Sequence, residues 1–398
     1  MITIRNRYLV LFGALLAQLT IAALYAWSIF GIAIQSERGW GEEEVLLTYS
    51  ISVFTFAFST FFSGRIVDRK GPRPALLIGA ILYGGGLILS SFAKTPQMLY
   101  LTYGILTGAG VGFVYVCPLS TLVKWFPQNK GTITGLSVSI FGGGSILFKE
   151  VISSFLEGST VSGAFFNLGI LSFVLILMGA LLTNNPEGFE KQKTEKEEGD
   201  FTTGEMVKTS RFRILFLMYF LACIPGLLIL GSAKNIGIEV AGLESGIAAG
   251  IISILAISNA GSRLVSGALS DKIGTLSVLR IIFSITVVSL LLLSFLAENR
   301  IMFYLGVMGV AIGFGGFLTL FPIYTNQAFG RFRYGSNYGI MYQAYGLAAL
   351  AGVLLKSAAG NYTNTFIIST FCAAVGLGLS FLLREKNAAA KEKIRKII

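Results

Sequence analysis

The chain has 398 residues, of which 54% are hydrophobic and 13% are charged, and its formal net charge at pH 7 is +11. Soluble globular domains have about a quarter of their residues charged, so this composition excludes that class and indicates an all-α membrane protein with many spanning helices. The Lys and Arg residues lie in short segments between apolar runs. That is the pattern of membrane topology, and it argues against a nucleic-acid partner.

Residue types that commonly bind transition metals are scarce. The chain has no histidine, and its three cysteines, Cys117, Cys223 and Cys372, stand singly inside apolar stretches. Histidines and closely spaced cysteines are the usual ligands of such metals. We therefore expect no metal and no cofactor, and we interpret the cysteines as small apolar core residues.

Apolar runs that are long enough to cross a bilayer recur twelve times. A crossing helix needs about 20 apolar residues, and the first run is too long for the apolar region of a cleaved signal peptide. We predict spans at residues 8–34, 45–66, 75–93, 98–122, 131–156, 162–184, 212–235, 245–270, 276–297, 301–326, 336–358 and 362–384.

One long polar segment divides these spans into two sets of six. It contains EKQKTEKEEGD, whose mixed charges cannot form a core. We predict an N-terminal six-helix bundle at residues 1–184, a cytoplasmic linker at 185–211, a C-terminal six-helix bundle at 212–385 and a basic cytoplasmic tail at 386–398. With the N-terminus inside, 24 of the 31 Lys and Arg residues are cytoplasmic, so the positive-inside rule places both termini there.

The two halves carry a sequence repeat. GRIVDRKG, starting at Gly64, matches GALSDKIG, which starts at Gly267, 203 residues later. Duplicated halves predict two pseudo-symmetric bundles related by an axis along the membrane normal. Four further pairs match at an offset of 204 residues: Gly112 and Gly316, Pro118 and Pro322, Gly131 and Gly335, and Gly135 and Gly339.

The loop pattern G-x-x-x-D-[RK]-x-G, present once in each half, resembles the signature loop of the major facilitator superfamily. Other stretches resemble the oxalate/formate antiporter family, which is related to the monocarboxylate transporters. The resemblance covers nearly the whole chain and implies a twelve-helix transporter of a small organic anion. The stretches are YAWS from Tyr25, GAGVGFVY from Gly108, KWFP from Lys124 with Lys130-Gly131, Asp200-Phe201 with Gly204-Glu205-Met206, Arg263 with Ser270-Asp271-Lys272, and Asn337-Tyr338-Gly339.

The resemblance also implies site residues. In that family an arginine of the eighth span is expected to hold the substrate carboxylate, and it corresponds to Arg263. Vertebrate-type monocarboxylate transporters are expected to carry an acidic residue one turn earlier, where this chain has Asn259. Oxalate-exchanging members carry a lysine in the eleventh span, where this chain has Tyr345. This departure favours a monocarboxylate over a dicarboxylate held between two cations.

Arg263 is a costly residue for a bilayer, because a charge at the centre of a spanning helix costs at least about 2.5–3.5 kcal/mol. It shares one helix face with Asn259, one turn away. The guanidinium fork matches a carboxylate with two parallel hydrogen bonds. The alternative is a structural pairing with helix carbonyls or with Glu150 of the fifth span. The repeat places Thr60 at the equivalent position of the other half, so the predicted site is asymmetric.

Five aromatic residues lie at depths that suit a site around Arg263. A tyrosine offers its hydroxyl to a carboxylate and its ring to the apolar remainder of a small acid. The alternative is ordinary aromatic packing between helices. The predicted substrate-lining residues are Tyr25, Tyr115, Phe314, Tyr342 and Tyr345.

The two signature loops are predicted to act in gating. Their charged residues are expected to form cytoplasmic networks and to cap helix ends, in contacts that break and reform during transport. These residues are Asp68 with Arg65, Arg69 and Arg73 in the first loop, and Asp271 with Lys272 in the second.

Lys149 and Glu150 fall near the outer end of the fifth predicted span. One interpretation is an outer gate that attracts anions. The other is that these long side chains reach from the helix end to the interface with water.

These observations predict a monomeric secondary transporter of a small monocarboxylate, such as lactate, pyruvate or formate, that works by rocker-switch alternating access in the cytoplasmic membrane. The sequence has no nucleotide-binding motif, so transport runs on a gradient. Proton symport is the preferred coupling, with the proton travelling on the acid itself or on Glu150; exchange of two carboxylates is the alternative. A carboxylate-binding membrane sensor is a remote alternative, because short loops leave no output domain. No cluster of catalytic residues supports an enzyme.

Overall fold

The computed structural model describes residues 6–187 and 199–383 of the chain. The middle of the predicted linker, at 188–198, and the predicted basic tail, at 386–398, lie outside the described residues.

Twelve long helices make up nearly all of the described chain, and no strand occurs in it. Each of the twelve predicted spans overlaps one of them, which confirms the predicted all-α fold. A short helix, Thr203–Lys208, precedes the seventh. The helices are Arg7–Arg38 (α1), Glu42–Lys70 (α2), Pro72–Ser90 (α3), Pro96–Trp125 (α4), Lys130–Gly158 (α5), Val161–Leu182 (α6), Ser210–Glu239 (α7), Ser245–Ile273 (α8), Thr275–Phe295 (α9), Arg300–Phe329 (α10), Tyr334–Ala359 (α11) and Tyr362–Ser380 (α12).

Among the described residues, eleven of these helices contain a segment that is long and apolar enough to cross a membrane. The twelfth helix, α8, has 29 residues and overlaps the predicted span at 245–270.

Three helices depart from regular α-helical geometry. In α1 the segment Ile21–Ala26 is a 3₁₀-helix, and in α4 the segment Tyr100–Thr107 is a π-helix. In α11 the helix breaks at Tyr342, between Tyr334–Met341 and Gln343–Ala359. Mid-helix 3₁₀ and π segments often mark functional positions, and Tyr25 and Tyr342 lie in two of these irregular segments.

The described residues form two compact units that differ from the sequence halves. The first unit takes them from Met1–Gln128, Ser139–Thr203 and Phe332–Gln343. The second takes them from Asn129–Val138, Gly204–Arg331 and Ala344–Ile398. The first turns of α5 therefore pack with the C-terminal helices, and the first turns of α11 pack with the N-terminal helices.

An apolar cluster in the second unit joins α7, α8, α9, α10 and α12. Its members include Ile229, Ile251, Leu290, Phe303 and Phe366, each of which is 0% exposed. Burial of side chains of this size stabilises the packing by roughly 1.5–3 kcal/mol each in aqueous proteins. In a bilayer, close packing takes over that role, and the cluster anchors the N-terminal part of α8.

Candidate functional site

Arg263 lies in the middle of α8, in the second unit, and is only 1% exposed. Its Nε donates to Oδ1 of Asn259 at 2.9 Å, and its Nη1 donates to the carbonyl oxygen of Val138 in α5 at 2.7 Å. These are its hydrogen bonds within the described part of the chain, and no carboxylate is among the partners. Arg263 is thus a buried cation held by neutral groups.

The guanidinium of Arg263 has N–H donors that these two hydrogen bonds do not use. It carries five N–H groups, and the two bonds leave Nη2 without a partner among the described residues. Because the Nε–H group donates to Asn259, a carboxylate cannot bind the side of the guanidinium that carries Nε. Three N–H groups remain, one on Nη1 and two on Nη2, and both nitrogens can donate to one carboxylate.

Backbone contacts from two neighbouring helices fix the position of this pair. A Cβ atom built on Gly135 of α5 would lie 2.6 Å from the carbonyl oxygen of Arg263, and one built on Gly315 of α10 would overlap the carbonyl oxygen of Asn259. Ser262 also donates to the carbonyl oxygen of Ile312 at 2.5 Å. Helices α5 and α10 therefore approach α8 at the level of the polar pair, which glycine alone permits.

Two of the predicted aromatic residues belong to the same unit as Arg263. Phe314 precedes Gly315 and is 3% exposed, and its ring lies against Gly226 of α7. The Tyr345 ring, which is 2% exposed, stacks at 6.4 Å from that of Phe314. Gly315, the next residue of α10, contacts Asn259, and the binding of substrate by Phe314 and Tyr345 stays a prediction.

The other three predicted aromatic residues belong to the first unit. Tyr115 and Tyr342 are each 1% exposed, with their ring centroids 5.1 Å apart. Tyr25 is half-buried, 4.8 Å from the ring of Phe141. Phe56 packs on both Tyr115 and Tyr342. These contacts match the aromatic-packing alternative, and a role in substrate binding stays a prediction for the three tyrosines.

The repeat shows how the polar pair differs from its counterpart. Thr60 and Phe56 stand 203 residues before Arg263 and Asn259. Thr60 is 0% exposed and donates to the carbonyl oxygens of Ala57, at 2.7 Å, and Gly339, at 3.3 Å. The first unit thus has an apolar ring and a neutral hydroxyl where the second has an amide and a cation.

Asp68 of the first signature loop caps the N-terminus of α11. Its Oδ1 accepts from the backbone N–H of Gly335 at 3.0 Å, and its Oδ2 accepts from the N–H and hydroxyl of Ser336 at 2.7 and 2.6 Å. Asp68 is only 3% exposed. Unpaired N–H groups and the helix dipole make a helix N-terminus favourable for a carboxylate.

Asp271 caps the N-terminus of α5 in the same way within the second unit. Its Oδ1 accepts from the N–H of Gly131 at 2.8 Å, and its Oδ2 accepts from the N–H and hydroxyl of Thr132, both at 2.8 Å. Unlike Asp68, it is exposed. The two caps are therefore equivalent in geometry and different in burial.

Among the described residues, no hydrogen bond joins the basic side chains of the loops to these carboxylates. Arg65 lies over the ring of Phe61, at 4.3 Å from its centroid, and Arg73 donates to the carbonyl oxygens of Ala180 and Leu181 at 3.1 and 2.9 Å. Arg69 and Lys272 are exposed and make no hydrogen bond to a described residue. The two carboxylates cap helix ends, and the expected charge networks stay a prediction.

Lys149 and Glu150 are both exposed on α5. Neither makes a hydrogen bond or ion pair within the described ranges. Their role as an outer gate stays a prediction.

Sequence reasoning missed the backbone carbonyl of Val138, because a carbonyl acceptor has no signature in residue type. It also missed the hydroxyl donors Thr132 and Ser336. A signal for these was present, since each follows a matched glycine and the two stand 204 residues apart. Within the described residues no group of His, Cys, Asp or Glu side chains is placed to hold a metal ion.

Comparison with protein families gives one match over most of the chain. The family described as Major Facilitator Superfamily matches residues 10–353.

Several transporters are similar to this chain over most of their length. An uncharacterized MFS-type transporter of Escherichia coli (strain K12), YhjX, is 31% identical over 347 residues, covering 87% of this chain and 86% of that protein. The oxalate:formate antiporter of Oxalobacter formigenes is 28% identical over 398 residues, covering 98% of this chain and 94% of that protein. Monocarboxylate transporter 13 of Rattus norvegicus is 26% identical over 354 residues, covering 84% and 78%.

Solved structures share the fold. The transporter FucP in the outward conformation superposes with a TM-score of 0.72 at 16% identity, covering 93% of this chain and 98% of that chain. The proton:xylose symporter XylE gives a TM-score of 0.74 at 14% identity, covering 95% of each chain.

Proposed function

The chain belongs to the Major Facilitator Superfamily, and from that premise we propose that it moves a small monocarboxylate across the cytoplasmic membrane. As a member of this family it is a multi-pass membrane transporter and not an enzyme. The proposal concerns the substrate, the coupling and the residues that perform the transport.

The observation that carries the proposal is the state of Arg263. It is a permanent cation, 1% exposed, whose partners within the described residues are an amide and a backbone carbonyl. A buried charge without a counter-ion is strongly unfavourable, so a substrate carboxylate that binds the free end of the guanidinium would offset that cost. Asn259 orients the fork, and Phe314 and Tyr345 supply apolar surface for the remainder of the acid.

The number of cations supports a monocarboxylate. Tyr345, which is 2% exposed, stands where oxalate-exchanging relatives are expected to place a lysine. A phenol donates one neutral hydrogen bond and cannot neutralise a second carboxylate. The named relatives agree with the chemical class, since one is an oxalate:formate antiporter and another a monocarboxylate transporter.

Proton symport is the coupling that we propose first. The proton would travel on the acid itself or on Glu150, which is exposed on α5. The second candidate is exchange of two carboxylates. It is favoured by the similarity to the oxalate:formate antiporter, which extends over 98% of this chain.

We propose that the two aspartate caps act in alternating access. Each cap joins one repeat to a helix start from the other repeat, through three hydrogen bonds. Contacts of this kind are few, directional and able to reform, as a two-state element requires. A gating role is also proposed for four exposed charged residues, with less support: Lys149, Glu150, Arg69 and Lys272.

Uptake into proteoliposomes tests the function. The purified protein is reconstituted, and entry of labelled lactate, pyruvate, formate and oxalate is followed with and without an imposed pH gradient. Accumulation of a monocarboxylate driven by an inward proton gradient supports symport, and uptake that requires a preloaded carboxylate supports exchange. Failure to transport any of the four acids under either condition contradicts the proposal.

A further inference from the structure

Two stretches that mark the family resemblance contact each other in the first unit. The hydroxyl of Thr203 donates to Oδ1 of Asn337 at 2.9 Å, and Nδ2 of Asn337 donates to the carbonyl oxygen of Phe201 at 3.0 Å. Asn337 is 0% exposed. We call residues 201–208, which end the linker and include the short helix, the strap.

The strap contacts α11 beside the Asp68 cap. Asn337 directly follows Gly335 and Ser336, whose N–H groups bind Asp68. The first turn of α11 is therefore held both by a carboxylate of α2 and by the strap. Both polar groups of the Asn337 side chain are used, and leaving either one buried without a partner would be costly.

The equivalent place in α5 has no such contact. The residue 204 positions before Asn337 is Ile133, which is 8% exposed. A hydrocarbon side chain cannot form this pair of hydrogen bonds. The strap therefore acts on the α2–α11 crossing alone, although both crossings carry an aspartate cap.

The other end of the strap is fixed to α7. Met206 is 0% exposed. The hydroxyl of Thr209 donates to the carbonyl oxygen of Met206 at 2.7 Å and accepts from the N–H of Phe212 at 3.0 Å, which caps α7. Ordering such a segment has an entropic cost, and these contacts offset it. The strap thus ends at the N-terminal cap of α7.

We propose that the strap keeps the first turns of α11 against α2 and thereby sets the rate at which this helix start is released during transport. Asn337 acts as a positioning residue, since it bonds to the strap and not to the substrate. The proposal rests on the alternating-access mechanism proposed above, and it assigns a role to the 200–206 and 337–339 stretches.

Hydrogen exchange on the full chain tests the contact without any substrate. Thr203→Val removes the hydroxyl donor and keeps the shape, Asn337→Ala removes both bonds, and Thr203→Ser keeps the hydroxyl as the matched control. One hydrogen bond has a net worth of about 1 kcal/mol, which is about a fivefold change in an opening equilibrium. We expect amide exchange in residues 334–341 to rise about fivefold or more in the first two variants and to stay at the wild-type value in the third. The first turns of α5 serve as an internal reference that should not change.

Transport kinetics then test the role of the strap in the same variants. A strap that governs release changes the maximal rate at least about threefold while KM stays within about twofold, because the substrate site is untouched. Wild-type exchange in residues 334–341 of Thr203→Val overturns the contact. Raised exchange with an unchanged maximal rate overturns the rate-setting role.

If Asn337→Ala does not fold, the pair Thr203→Val and Thr203→Ser still tests the contact and its effect on the maximal rate. The exchange result stands whatever the transported solute is, so failure of the strap and failure of the proposed substrate are distinguishable.

Discussion

Arg263 and Asn259 act as one group, because the amide oxygen occupies Nε and leaves the end of the guanidinium for an anion. A hydrogen bond to a charged group contributes about 1.5–3 kcal/mol. The amide therefore fixes the direction of the fork without neutralising it. A carboxylate at the same position would do both.

Replacing Asn259 by aspartate is expected to make uptake dependent on acid pH. At neutral pH the introduced carboxylate is ionised, pairs with Arg263 and competes with the substrate, so we expect KM to rise about tenfold or more. As pH falls the introduced group takes a proton and the competition ends, so uptake recovers at acid pH and is lost as pH rises. The measurement is KM for the transported acid between pH 5 and 8.

Asn259→Ala is the control for this variant, because it removes the amide without adding a titratable group. Its KM should rise by a similar or smaller factor that follows the wild-type pH dependence. If Asn259→Asp and Asn259→Ala respond to pH in the same way, the two side chains do not share one anion site.

Part of the site follows from residue types and spacing. Arg263 and Asn259 could be paired from the sequence because helical periodicity places residues four apart on one face. The partner Val138 could not, because a backbone carbonyl is present at every residue and only tertiary packing selects one. Aromatic residues such as Tyr115 remain ambiguous for a similar reason, since the same side chain serves a ligand site and a packed interior.

At the level of whole helices, glycine residues allow α5 to approach α8 closely and α2 to approach α11 closely. A Cβ atom built on Gly131 would overlap the carbonyl oxygen of Gly267, and one built on Gly64 would overlap that of Gly335. A Cβ atom built on Gly267 would likewise overlap the carbonyl oxygen of Gly131. The matched glycines of the repeat are thus the points of closest contact in both crossings.

Gly267→Ala should separate α5 from α8 and destabilise the protein by about 1–3 kcal/mol, the usual cost of overpacking. Gly261→Ala on the same helix is the matched control. A Cβ atom at Gly261 meets nothing within 4 Å, and alanine favours a helix by about 1 kcal/mol over glycine. Thermal unfolding in detergent should therefore give a lower melting temperature for the first variant and an equal or higher one for the second. Equal losses in both would contradict the proposed close contact.

The two aspartate caps should respond differently to the same substitution. Asp68→Asn puts an amide N–H₂ group among three donors at a site that is 3% exposed, and we expect a loss of about 2 kcal/mol, as for a buried charged hydrogen bond. Asp271→Asn removes the charge from an exposed cap, where about 0.3–1 kcal/mol is expected. Both should slow turnover and leave substrate affinity nearly intact. Melting temperature and binding affinity measured on each variant check this, and a large loss of affinity in either would place the aspartate in the substrate site instead.

The positions of the twelve helices could be predicted from the sequence, because a long apolar run has few other structures open to it. The 3₁₀ segment Ile21–Ala26, the π segment Tyr100–Thr107 and the break at Tyr342 could not. Such irregularities depend on contacts with neighbouring helices. The sequence likewise could not choose between a basic side chain and the N–H groups of a helix end as partners of Asp68 and Asp271, since both bind a carboxylate.

For the molecule as a whole, the distribution of Lys and Arg predicts cytoplasmic termini. In a background without Cys117, Cys223 and Cys372, a cysteine at Lys272 should react with a membrane-impermeant maleimide only after the cells are permeabilised. A cysteine at Glu43, in the first turn of α2, should react in intact cells. Both side chains are exposed, so the reaction reports sidedness. The reverse pattern would invert the proposed orientation.

The central claim is that one buried arginine binds one carboxylate, and uptake by Arg263 variants tests it most directly. Arg280→Gln is the matched control, because Arg280 is a half-buried arginine of the same unit that donates to the carbonyl oxygen of Ser380 at 3.2 Å. The measurement is initial uptake, by reconstituted protein, of the acid that the wild type transports best. We expect Arg263→Gln to lower kcat/KM about 100-fold, the equivalent of about 2.7 kcal/mol, and Arg263→Lys to raise KM because an ammonium lacks the two-pronged fork. Arg280→Gln should stay within about threefold of wild type. Wild-type uptake by Arg263→Gln, in protein that is folded and inserted, would contradict the account.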